Sequence, residues 1–197
     1  IEKLNKIESL GIKPYPPSFA KRETINESRK MLGKQVRTAG RMMSFRTHGK
    51  VSFGNLYDET GTIQLLFRFD DVGENKYSFL DLLDLGDFLG VTGEVITTKT
   101  GELTIKVENF ELLSKSLRPM PNQWYGLKDV KERFRKRYLD LLLNQDARKI
   151  LNSRWLIERK IREFLWQNKF WEVETPVLQN LYGGTNARPF TTHLNAL

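Results

Sequence analysis

The chain has 197 residues, 39% of them hydrophobic and 28% charged, with a formal net charge of +8, the composition of a globular protein of one or two domains with a real core. It holds no cysteine and two histidines, His48 and His193, which excludes disulfide staples and cysteine-ligated zinc, fits a reducing cytoplasm, and leaves little for a histidine metal site or a Ser-His-Asp arrangement. No run of about 18 apolar residues and no signal-peptide pattern occurs, so neither a membrane span nor export is expected.

In chain order, Ile1, Leu4, Ile7 and Leu10 fall on a helical stripe that Gly11 and Pro14 end, which predicts a short amphipathic helix in an N-terminal extension over 1–33. From Lys34 the pattern turns to period two, with strands expected near 34–46, 50–58, 61–69, 87–98 and 101–112. Thr60-Gly61 and Thr100-Gly101 mark turns, and ENKYSFLDLLDLGD reads as a short helix carrying Phe79, Leu82 and Leu83 and ended by Gly86. Five strands with a helix after the third is the order of an OB-fold barrel over 34–113, a frequent binder of single-stranded nucleic acid, although several small barrels share that order.

Residues 114–127 read as a linker, with Pro119, Pro121 and Gly126 marking irregular backbone. VKERFRKRYLDLLLN is expected as one helix, opening a last segment over 128–197. A second helix begins near Ala147, with Asp146 as its N-cap and Ile150, Ile157, Ile161 and Phe164 on one face; Asn168 and Lys169 end it. A strand follows from Phe170, with Pro176 fitting an edge, an end or a bulge, and then the Gly183-Gly184 pair. The charge is uneven. Residues 34–112 carry 9 basic and 12 acidic side chains, and residues 128–169 carry 13 and 6. A basic excess fits a nucleic-acid partner, yet a charged helix face is more often simply solvated. The first residue is Ile1, and the expectation is a piece of something longer.

The helix, strand and proline order with GG-x-x-ARPF resembles motif 1 of class II aminoacyl-tRNA synthetases, and most closely the lysyl enzymes. GIKPYP, GRMMSFRTHGKVSF, GTIQLLF, KTGEL, LRPMPNQWYGL and RYLDL resemble the lysyl pattern in order and spacing across nearly the whole chain. The resemblance implies an α+β protein: a five-stranded OB-fold barrel with an N-terminal helix that grips the tRNA(Lys) anticodon, then the helical start of a class II catalytic domain. It implies lysine, ATP and Mg²⁺ as substrates and cofactor of the intact enzyme, and a homodimer through motif 1 with Pro176 at the interface. Motifs 2 and 3 would lie beyond Leu197, so no catalytic residue and no metal ligand is assigned within this chain. Gly184 resembles a backbone contact for substrate lysine. Thr185 and Leu194 depart from the family pattern.

A single-stranded base needs a face to stack on and polar groups at its edge. Gln64, between Ile63 and Leu65, and Glu102, before Leu103 and Ile105, are expected to face away from the barrel core. Phe53 alternates with Val51 and Tyr57, and by pattern alone reads as core. The resemblance makes Phe53, Gln64 and Glu102 the anticodon pocket. Arg37, Arg41, Arg46 and Lys50 cluster on the first strand and the loop after it, with Arg41 assigned to anticodon phosphates. His48 beside Gly49 reads as a turn residue. Two further readings stay open: the related aspartyl or asparaginyl ligase, against which GIKPYP, LRPMP and GG-x-x-ARPF argue, and a non-catalytic OB module that binds RNA.

Overall fold

The computed structural model describes residues 1–20, 22–121, 127, 129–178 and 190–193. The chain forms two compact units, residues 1–124 and 125–197.

The first unit is a closed barrel of five strands: β1 (Gln35–His48), β2 (Val51–Asp58), β3 (Gly61–Arg68), β4 (Phe88–Thr97) and β5 (Leu103–Ser114). Around the barrel they run β1, β2, β3, β5, β4, all neighbours antiparallel except β3 and β5. Closure leaves no open sheet edge. Alternation supplies the interior. Val36, Met42, Leu56, Ile63, Leu65, Phe67, Leu89, Val91, Val95, Ile105 and Val107 are buried in one cluster, as period-two patterning requires. Residue 43 is the extra residue of a bulge in β1, where the register against β2 shifts between Met42 and Ser44.

Helix α1 (Glu2–Ser9) leads into the barrel, and α2 (Ile25–Ser28) precedes β1. Only Ile7 of the expected stripe is buried, while Ile1 and Leu10 are exposed; one turn of a short helix touches the core and its ends do not reach it. Ile7 and Ile25 join the barrel's own core cluster. The sequence reading had no α2. Its signal was a capping box, in which the Thr24 hydroxyl accepts from the Glu27 amide while the Glu27 carboxylate accepts from the Thr24 amide.

Between β3 and β4 the chain makes α3 (Phe69–Val72), α4 (Glu74–Phe79) and a 3₁₀ turn over Leu80–Leu82. The single helix expected over ENKYSFLDLLDLGD passes from α4 into the 3₁₀ turn and ends before Gly86, while α3, stopped by Gly73 at φ 80°, lies ahead of it and was not expected. Lys115, fully covered, bonds both Asp84 and Asp87 at 2.6 to 3.0 Å, and Lys3 of α1 reaches Asp84 at 2.8 Å. This cluster, buried at Lys115 and Asp87 and partly exposed at Asp84 and Lys3, ties α1, the turn before β4 and the end of β5 together.

The second unit contains α5 (Val130–Arg135), α6 (Arg137–Leu143) and α7 (Gln145–Gln167). The expected single helix over VKERFRKRYLDLLLN breaks at Lys136, whose backbone stands at φ −107°, ψ 51°. Arg133 bonds the Asp140 carboxylate across that break, and Arg137 bonds it from within α6. Asn144, not Asp146, caps α7: its side-chain oxygen accepts from the amides of Asp146 and Ala147. Asp146 instead takes a first-turn position, where a negative charge suits the helix dipole. Ile150, Ile157, Ile161 and Phe164 are each more than half exposed. The expected strand from Phe170 is absent from the described residues, which run without ladder partners through Leu178; a strand exists only where a neighbour pairs with it. Pro176 is exposed there, outside any strand.

Candidate nucleic-acid interface

The polar face of the barrel is built by register. Ser44 pairs with Asn55, Asn55 with Gln64, and Gln64 with Thr104, so one polar row crosses β1, β2, β3 and β5. In the neighbouring row Arg46 pairs with Phe53. Before the bulge the inward residues of β1 are Val36, Thr38, Gly40 and Met42; after it Phe45 packs on the core, so Ser44 and Arg46 turn outward. The extra residue changes the phase of alternation and puts a cation beside the ring.

These residues line a concavity of about 310 Å³ formed by Ser44, Phe45, Arg46, Phe53, Gly54, Asn55, Gln64 and Glu102, at the lower end of ligand clefts. Phe53 is half-buried and outside the core cluster, with the Arg46 guanidinium 5.5 Å from its ring centre. On β2 the inward residues are Ser52, Gly54 and Leu56, the opposite phase to the core reading of Phe53. Gly54 keeps β2 close to β1, since a Cβ there would stand 3.0 Å from the Ser44 carbonyl oxygen.

Gln64 points out of the barrel but is only 9% exposed. Its Nε2 donates to Glu102 Oε2 at 2.9 Å, and its Oε1 accepts from the Thr104 hydroxyl at 2.9 Å. Glu102, just before β5, is exposed at the rim. The arrangement offers a ring face, an amide donor, a carboxylate acceptor and a cation. That is what one unstacked base and its phosphate require.

Phe53, Gln64 and Glu102 are therefore brought together, and Arg41 is not with them. Arg41 stacks on Phe88 at 4.2 Å and donates to the Gly86 carbonyl at 3.0 Å, and its burial lowers its pKa from the ordinary guanidinium value. It pairs with Phe88 and Tyr57 before the bulge, so it does not line this cleft, whereas Arg46 does. Arg37 is held by Glu111 at 3.1 Å and lies over Phe19 at 4.5 Å; Lys50 lies over Phe69 at 5.3 Å. Asn55, Ser44 and Thr104 were missed by sequence reading. Asn55 carried a signal, as it is polar and shares its strand face with Phe53. His48 is the exposed last residue of β1, with Gly49 at φ 58° making the turn to β2. His193 is exposed. Gly184, Thr185 and Leu194 lie outside the described residues.

Among the described residues no group of His, Asp and Glu stands together as metal ligands, and no helix is long and apolar enough to cross a membrane.

Residues 36–113 match the family model for the OB-fold nucleic acid binding domain, and residues 129–197 match that for tRNA synthetases class II (D, K and N). A barrel of this kind followed by such a domain defines a class II aminoacyl-tRNA synthetase architecture. The whole chain is similar to lysine–tRNA ligases from Thermoanaerobacter sp. (strain X514) at 48% identity, Fervidobacterium nodosum at 46% and Methanoculleus marisnigri at 43%. It covers 40%, 40% and 41% of those relatives respectively. The chain spans about two fifths of the length of the curated relatives it matches.

Proposed function

We propose that the parent protein is a lysine–tRNA ligase, in which this chain provides anticodon recognition and the first part of the catalytic domain. The carrying observation is the cleft in which Phe53 and Arg46 face Gln64 and Glu102. A base stacks on Phe53, its edge meets the amide and carboxylate, and Arg46 neutralises a flanking phosphate. The parent activates lysine with ATP, releasing pyrophosphate and leaving a lysyl-adenylate, and then passes the lysyl group to the terminal adenosine of tRNA(Lys). The described residues present no carboxylate cluster that fits Mg²⁺; the seats for ATP and metal are assigned to the remainder of the parent.

The same reading places the enzyme in the cytoplasm as a homodimer through α7 and the segment bearing Pro176, with Gly184 at the lysine. The exposed apolar side chains of α7 support that surface. Aspartyl or asparaginyl identity is disfavoured by the run of lysine–tRNA ligases among the relatives.

The experiment is a binding titration of the 197-residue chain with tRNA(Lys) and with the same tRNA carrying a replaced anticodon. Tighter binding to the first is expected. Equal binding would remove the anticodon assignment.

A further inference from the structure

Thr104 ends the polar row that crosses the barrel, and it is completely buried although it points away from the barrel interior. Its hydroxyl donates to Gln64 Oε1 at 2.9 Å and lies 3.2 Å from the Glu102 carbonyl oxygen. On the other side of the same amide, Glu102 Oε2 accepts from Gln64 Nε2 at 2.9 Å. A carboxylate only accepts, so the amide nitrogen belongs on the Glu102 side; turning the amide over would set two oxygens against each other. The hydroxyl then satisfies the amide oxygen in a place where water does not reach it. With both ends held, the second N–H of Gln64 and Glu102 Oε1 remain for a ligand.

We infer that Thr104 is a positioning residue of the base cleft: it touches no base, but it holds the Gln64 amide so that donor and acceptor are presented side by side. The inference rests on the anticodon reading above. A uracil edge answers such a pair, because its N3–H donates to the carboxylate while an adjoining carbonyl accepts from the amide. In the same placement cytosine sets its unprotonated N3 against the Glu102 carboxylate. Thr104→Val keeps the shape and removes the hydroxyl, leaving Gln64 Oε1 without its buried partner. The amide then swings or turns, and the donor no longer has a fixed place.

The test titrates the 197-residue chain with an RNA hairpin bearing a UUU loop and with copies carrying one uridine-to-cytidine change. Thr104→Val is expected to lose about two- to tenfold of the uridine preference, the worth of one hydrogen bond, and Thr104→Ser to retain it. Phe53→Ala in the same series reads the cleft itself. If Phe53→Ala leaves binding of every hairpin unchanged, the anticodon reading fails and takes this inference with it. If Phe53→Ala weakens binding while Thr104→Val keeps the full preference, only the positioning role is overturned. Should Thr104→Val not fold, the side-chain amide protons of Gln64 in the unmodified chain decide, identified by their loss in Gln64→Leu. Slow exchange with water supports a held amide, and rapid exchange like that of an exposed glutamine overturns it.

Discussion

Arg41 and Arg46 carry the same charge on the same strand and meet different surroundings. Arg41 is stacked on Phe88 and bonded to the Gly86 carbonyl, so Arg41→Ala is expected to lower stability by about 1 kcal/mol without changing the salt dependence of RNA binding. Arg46 is exposed over Phe53, and no carboxylate pairs with it among the described residues. Arg46→Ala is expected to weaken binding to every hairpin alike and to reduce the slope of log K against log salt by about one. Thermal unfolding and titrations at two salt concentrations separate the two; a salt slope that falls for Arg41→Ala and not for Arg46→Ala would reverse the assignment. Sequence could not tell these arginines apart, because the bulge at Met42/Ser44 changes the phase of alternation between them and a single extra residue leaves no mark in the composition. The outward direction of Gln64 was legible from alternation between Ile63 and Leu65. Its burial was not, since Thr104 and Glu102 reach it only through the parallel pairing of β3 with β5.

At the scale of elements, the five strands were legible because period-two burial and glycine turns mark them, and the closed order follows from the helices that separate β3 from β4. The helical boundaries were less so. Lys136 breaks a run of good helix formers, and Asn144 takes the cap that Asp146 was expected to fill, since only hydrogen-bond geometry distinguishes two capping residues two positions apart. Asn144→Ala is expected to destabilise α7 by about 1 kcal/mol, against little change for Asp146→Ala, as read by helical circular dichroism on heating. Beside the buried Ile7, Asp84 adds a polar link from α1 to the barrel. Burial by itself would raise its pKa, but the hydrogen bonds and charges of Lys115 and Lys3 outweigh it, and the carboxyl titrates below the ordinary aspartate value of 3.8. A lowered carboxyl contributes stability that is complete above its unfolded pKa and is lost as pH falls through the lower folded value. Acid unfolding below about pH 4 is therefore expected to be less steep in Asp84→Asn than in the unmodified chain, and an identical acid limb in both would show that the cluster contributes nothing there.

At the scale of the whole molecule, the apolar side chains of α7, Trp155 and Trp166 among them, stand largely exposed, far more apolar surface than a solvated helix carries. The 197-residue chain is expected to self-associate with rising concentration, and Ile157→Glu together with Ile161→Glu to suppress it. A sedimentation coefficient independent of concentration in the unmodified chain would argue against an interface on this helix. The anticodon cleft is the claim on which the rest depends, and Phe53 is its only stacking ring among the lining residues other than the inward-packed Phe45. Removing a stacking ring costs about 1 to 3 kcal/mol per base, or roughly five- to 150-fold in affinity. The decisive measurement is the dissociation constant of the chain and of Phe53→Ala for a UUU-loop hairpin at one fixed salt concentration: a loss in that range with an unchanged melting temperature is predicted, and equal affinities for a folded Phe53→Ala would contradict an anticodon site on this face of the barrel.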